Sequence, residues 1–156
     1  MKQPKAIPDH YPVIALAGNP NVGKSTLFNS LTTGKKQHTG NWIGKTTANA
    51  WGICHSPARD YTLVDIPGTY SLSSRSAEEE VARDFICFGA HQAVVIVCDA
   101  TCLERNLNLV LQILEATDRT LVCVNLLDEA EKKNITIDLD QLSDLLWVPL
   151  AGTFAR

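Results

Sequence analysis

Apolar residues in this chain come in short runs, separated by stretches with helical spacing. The runs at 12–17, 47–54, 59–65, 92–98, 120–125 and 147–150 have the length of buried strands. Between them, 24–33, 77–88, 104–116 and 139–146 read as helices, with a short one after Asp128. Leu107, Val110, Leu111 and Leu114 fall at i, i+3, i+4 and i+7, which marks one apolar helix face and a place in the core. Ser76 offers an N-cap, followed by acidic first-turn residues at Glu78 and Glu79. Such alternation predicts an α/β fold: a mostly parallel six-stranded twisted sheet with helices on both faces. No internal repeat or low-complexity stretch interrupts it.

Composition narrows this only slightly. The 156 residues suit a single domain over 1–156, and 45% hydrophobic with 20% charged residues is ordinary for a soluble protein. A formal charge of −3 argues against a nucleic-acid partner. No run approaches the ~18 apolar residues that span a bilayer. Met1 to Pro12 is polar and proline-punctuated, without the apolar centre of a signal peptide. Of the five cysteines none forms C-x-x-C, and Cys87, Cys98 and Cys123 lie in apolar runs. With Cys54 and Cys102 they read as thiols of a reducing cytosol, so no iron or zinc site is assigned.

The chemistry lies in three loops. Gly18-Asn19-Pro20-Asn21-Val22-Gly23-Lys24-Ser25 fits G-x-x-x-x-G-K-[ST] at every fixed position, between a strand and the helix opening with Thr26. In that context the backbone cradles phosphates, Lys24 reaches the outer ones and Ser25 offers a hydroxyl to Mg²⁺. Asp65-Ile66-Pro67-Gly68 ends another strand. Asp65 would hold the Mg²⁺ site through water, and the Gly68 N–H could approach a γ-phosphate. Asn125-Leu126-Leu127-Asp128 follows the 120–125 run and puts a carboxylate at a strand's carboxyl end, where open α/β sheets bind ligands. Asp128 can accept from guanine N1–H and the 2-amino group, whereas adenine would leave it unpaired. The loops together predict a P-loop NTPase of the Ras-like G-domain type that takes GTP and GDP.

With Gln37 to Gly44, the run Asp65 to Leu72, Leu103 to Leu107 and Glu129 to Ile135, the chain resembles the cytosolic GTPase domain at the N-terminus of the FeoB ferrous-iron transporter family. The resemblance runs from about Ile14 to Pro149. It implies GTP hydrolysis coupled to ferrous-iron uptake, on the cytoplasmic side of a bacterial inner membrane. The partner would be a membrane-transport domain of the same polypeptide, lying beyond Arg156. Nucleotide-dependent self-association stays open.

Lys35 to Asn49 is polar and glycine-broken and reads as a switch, in which the same resemblance selects the threonine. Gly44 lies in it, and Thr46 would ligate Mg²⁺, with Thr47 as the competitor. It further implies a K⁺ ion held by Asn21 and by carbonyls near Trp42, which makes Asn21, Lys24, Thr46 and Gly68 the catalytic set. Thr69 stands where Ras-like enzymes carry a glutamine, so unaided turnover should be slow. Thr153, Phe154 and Ala155 would form the last wall of the base pocket, Ala155 making the contact, in a G domain truncated before its closing helix. A soluble Era- or TrmE-like GTPase and a non-hydrolysing GTP/GDP-responsive module are the alternatives.

Overall fold

The computed structural model describes residues 10–32, 38–41, 48–73 and 75–154. Strands β1 (Val13–Gly18), β2 (His38–Asn41), β3 (Ala48–His55), β4 (Asp60–Asp65), β5 (Ala93–Asp99), β6 (Thr120–Asn125) and β7 (Leu150–Gly152) form one sheet. Its order is β2-β3-β4-β1-β5-β6-β7. The α-helices among the described residues are α1 (Lys24–Leu31), α2 (Ala77–Phe88), α3 (Leu103–Ala116), α4 (Leu127–Lys132) and α5 (Leu139–Leu146), with a 3-10 turn at Ala100–Cys102 ahead of α3.

β1, β5 and β6 are almost wholly apolar because each lies inside the sheet and is covered on both faces. β1 pairs in parallel with β4 and β5, and β5, β6 and β7 continue in parallel, while β2–β3 and β3–β4 are antiparallel. On one face, Phe85 and Ile86 of α2 and Leu109 and Ile113 of α3 pack over Val94, Ile96 and Val124. On the other, Leu27 and Phe28 of α1 pack over Leu16, Leu63, Val97 and Cys123. Burying a side chain of that size stabilises by about 1.5–3 kcal/mol. The carboxyl ends of β1, β4 and β6 are thereby held in place where their loops begin.

The six expected strands all form, and β2 adds a seventh. It lies in the segment expected to be a switch loop, and its polar residues His38-Thr39-Gly40-Asn41 carry no apolar signal. It pairs antiparallel with the free edge of β3, from His38↔Trp51 to Asn41↔Ala48. The last strand is shifted, lying at Leu150–Gly152 rather than 147–150. Trp147 caps α5 in a left-handed conformation (φ 59), its N–H donating to the Ser143 carbonyl at 2.9 Å. The Ser143 hydroxyl donates to Val148 O at 2.6 Å, which commits those residues to the helix end. α1 stops at Leu31 rather than 33, where Thr32 turns extended and its hydroxyl donates to Phe28 O. α4 begins at Leu127, so Asp128 lies inside it rather than ahead of it.

Gly18 closes β1 at φ +157, and a Cβ there would sit 2.6 Å from the Val97 carbonyl oxygen on β5. Backbone cannot swing aside as a side-chain tip can. Gly18→Ala is expected to cost about 2–3 kcal/mol, read as a lower denaturant midpoint at unchanged slope.

Candidate functional site

The loop after β1 turns sharply through two left-handed residues, Asn21 (φ 64) and Gly23 (φ 82), and delivers the chain into α1. The helix starts with Leu27 N–H donating to Gly23 O at 2.9 Å. α1 contributes no acidic residue of its own to its first turn, which leaves its N-terminal N–H groups suited to an anion. The Lys24 side chain is nearly buried, its ammonium paired with the Asp65 carboxylate and donating to Ile66 O at 2.8 Å. Ser25 Oγ donates to the other Asp65 oxygen at 3.4 Å. β1 and β4 are adjacent parallel strands, which is why residues 41 positions apart meet. Thr26 follows, half-buried on α1.

Asp65-Ile66-Pro67-Gly68 runs back across this loop. Ile66 N–H donates to Leu16 O at 3.2 Å, and Thr69 N–H donates to Gly18 O at 3.2 Å. Gly68 lies so close to Pro20 that a Cβ on it would be 3.1 Å from the Pro20 Cα. The Thr69 hydroxyl donates to Ser71 O at 2.6 Å. Asn19 is buried, and neither polar atom of its amide has a partner among the described residues. It borders a cavity of about 170 Å³, with Asp99, Cys102 and Asn106 on the far wall.

Asn125 joins the second half of the site to the first. It is fully buried; its Nδ2 donates to the Val22 carbonyl at 3.1 Å, and its Oδ1 accepts from the Thr153 hydroxyl at 2.9 Å. Thr153 N–H in turn donates to Val124 O at 2.9 Å, and Cys123 Sγ lies 3.4 Å from Thr153 Oγ1. Leu126 takes a left-handed conformation (φ 62), which costs a non-glycine residue about 1–2 kcal/mol. That bend places Asp128 in the first turn of α4, with 17% of its side chain exposed and its carboxylate 4.0 Å from Lys132 Nζ. The helix N-terminus favours a carboxylate there. Phe154 is exposed beyond β7.

The expected residues thus fall into two groups. Gly18 to Thr26 and Asp65 to Gly68 form one cluster; Asn125, Leu126, Asp128 and Thr153 form another, tied to it through Val22. Gly44, Thr46, Thr47 and Ala155, with the Trp42 carbonyl, lie outside the described residues. The tie through Asn125 and Thr153 was not read from the sequence, where the only signal was a threonine after the last strand. Cys98 and Cys123 are buried in the core, and burial pushes the Cys98 thiol up to about 12.

Comparison with known proteins agrees with this geometry. The profile of the family described as ferrous iron transport protein B matches residues 12–156. The Fe(2+) transporter FeoB of Escherichia coli (strain K12) is 47% identical over 150 residues, covering 92% of this chain and 19% of that protein. The Salmonella typhimurium protein is 46% identical over the same shares. The chain therefore spans about a fifth of the length of the curated relatives it matches. The G domain of the T. maritima FeoB iron transporter superposes with a TM-score of 0.84 at 38% identity, covering 94% of this chain and 89% of that one. The cytosolic domain of the same transporter in a GDP form gives a TM-score of 0.88 at 38% identity, over 95% of this chain and 58% of that one. The FeoB G-domain of Methanococcus jannaschii is 41% identical with a TM-score of 0.79, covering 93% and 86%. The P-loop GTPase fold, the three loops at the carboxyl ends of their strands and a profile match over most of the length converge, and the chain belongs to the ferrous iron transport protein B family.

Proposed function

We propose that this chain is a guanine-nucleotide-binding domain that hydrolyses GTP to GDP and phosphate by in-line attack of water. The observation that carries the reading is the junction of phosphate loop and base loop through Asn125, between Val22 O and Thr153 Oγ1. One connected unit then offers Lys24 and backbone N–H groups to phosphates and Asp128 to a base. Relatives whose cytosolic domains take GDP support the choice of guanine.

Each residue has a task in this reading. Gly18 to Gly23 would curl around the phosphates, and Lys24 would leave its contact with Asp65 for their outer oxygens. Gly68 would offer its N–H to the γ-phosphate, and Thr46, beside Gly44, would close over it. Asp128 would read guanine at two positions, with Leu126, Thr153, Phe154 and Ala155 around the base. Ser25 and Asp65 are oxygen donors 3.4 Å apart, a set suited to Mg²⁺, with Thr46 as a further oxygen. Asn21 is exposed on the loop and its carbonyl oxygen suits K⁺. Bound there, the cations would neutralise charge developing on the phosphates. In the longer family proteins the domain would work on the cytoplasmic side of the inner membrane, coupled to ferrous-iron uptake by a membrane domain of the same polypeptide. Nucleotide-dependent self-association is compatible with this reading.

A phosphate-release assay tests it. Turnover of GTP is expected to be slow, absent with ATP, and faster in KCl than in NaCl at equal ionic strength, which holds general screening constant. Asn21→Ala should erase the salt difference while leaving GDP binding intact, because the cation acts where charge develops in the transition state. Equal rates in both salts would remove the potassium role. GTP binding without turnover in either salt would favour the non-hydrolysing module, which the hydroxyl of Thr69, turned to Ser71, keeps in view.

A further inference from the structure

The segment beyond Gly68 is held at both ends, and the far anchor lies outside the nucleotide loops. At the near end Thr69 N–H donates to Gly18 O at 3.2 Å. The Thr69 hydroxyl then closes a local turn on Ser71 O. At the far end Leu72 N–H donates to Gln112 Oε1 at 2.6 Å, across 40 residues of sequence. Gln112 lies on α3, and its Nε2 is 3.5 Å from Asn108 Oδ1 one turn earlier, which orients the oxygen toward Leu72. The Leu72 side chain packs on the core that contains Leu109 and Ile113. Beside this contact an open groove of about 360 Å³ runs between Leu72, Ser73, Gln112 and Glu115. The backbone here is therefore flanked by solvent rather than wedged between elements, so a single strong hydrogen bond has leverage over where it lies.

We propose that Gln112 is a positioning residue for the triphosphate. By fixing Leu72 it fixes the short run back to Gly68, whose N–H is the group placed to meet a γ-phosphate. The inference rests on the nucleotide reading above. GDP has no γ-phosphate and makes no use of Gly68, so the anchor acts on the triphosphate complex and not on the diphosphate one. Its effect is to lower the ordering cost of a loop that binding must hold still.

Two substitutions separate anchoring from mere packing. Gln112→Leu keeps the size and removes the acceptor; Gln112→Glu keeps an acceptor oxygen. Gln112 is half-buried on a helix, so both variants should fold. In the full chain without nucleotide, Gln112→Leu is expected to speed hydrogen exchange of the Leu72 amide by about 5- to 10-fold, the worth of one net hydrogen bond. Affinity for a non-hydrolysable GTP analogue should fall about 5-fold while GDP affinity stays within about 2-fold, and Gln112→Glu should restore both readouts. Unchanged Leu72 exchange, equal losses for the two nucleotides, or no rescue by Glu would each overturn the proposal. A parent chain that binds neither nucleotide would sink the nucleotide reading and the triphosphate role with it. Leu72 exchange would still report whether Gln112 holds the segment.

Discussion

Replacing Asp128 with Asn is expected to invert base preference, so that xanthosine triphosphate outcompetes GTP. The carboxylate in the first turn of α4 accepts from N1–H and from the 2-amino group of guanine in the proposed complex. An amide can accept one of those bonds and must turn its own N–H₂ toward the other donor. Xanthine carries an oxygen at position 2, which the amide can donate to. Two charge-assisted hydrogen bonds are at stake, about 1.5–3 kcal/mol each, so GTP affinity should fall about 10²- to 10⁴-fold. ATP should bind poorly to parent and variant alike, because adenine lacks both donors. Competition binding with GTP, XTP and ATP measures this directly. Undiminished GTP preference in Asp128→Asn would mean that guanine is read elsewhere. The substitution is mild for the fold, because Asp128 lies 4.0 Å from Lys132 at a partly open surface, where ion pairs contribute little.

Lys24→Ala should reduce triphosphate affinity by about 100-fold or more, since the charge-assisted contact to the outer phosphates in the proposed complex is removed along with the cation itself. The same change leaves Asp65 without its ammonium in a nearly buried place, with side-chain exposures of 10% and 14% for the pair. Breaking such a pair costs about 3–5 kcal/mol, so part of any loss could come from unfolding. Lys24→Arg separates the two. It keeps the charge beside Asp65 and should hold the melting temperature, yet its larger planar fork does not reproduce the compact ammonium in the narrow place that Lys24 fills. Titration of a labelled GTP analogue, with the melting curve of each variant beside it, reads both effects. Full affinity in a folded Lys24→Ala would remove the phosphate-loop assignment.

The order of strands and helices was legible because the interior of the sheet demands unbroken apolar runs, and β1, β5 and β6 supply them. Lys24 was legible from the G-x-x-x-x-G-K-S pattern that follows β1, and Asp65 from the end of the 59–65 run. Three features were not legible, each for its own reason. β2 is polar, and it is a strand only because β3 presents an unpaired edge to it. β7 begins at Leu150 because Trp147 ends α5 in a left-handed turn that a bulky residue rarely adopts. Asn125 appeared as part of a base-reading motif, whereas its amide spans from Val22 to Thr153. Contacts between residues 103 and 28 positions apart leave no local pattern to read.

β1 comes first in the chain yet lies in the middle of the sheet, between β4 and β5. Its partners run from Thr62 to Asp65 on one side and from Ala93 to Val97 on the other. A ribosome releases this apolar strand, with the phosphate loop attached, long before either neighbour exists. At about 5–20 residues per second, the roughly eighty residues up to β5 take about 4–16 s to emerge. β4 emerges about midway and can take one edge of the strand, but the other edge stays unsatisfied until β5 follows. Molecular chaperones that hold short aliphatic segments are expected to occupy it during translation, and release must wait for β5. The time taken to translate residues 19–97 thus becomes a property of the fold: it sets how long β1 stays open to pairing with another nascent chain.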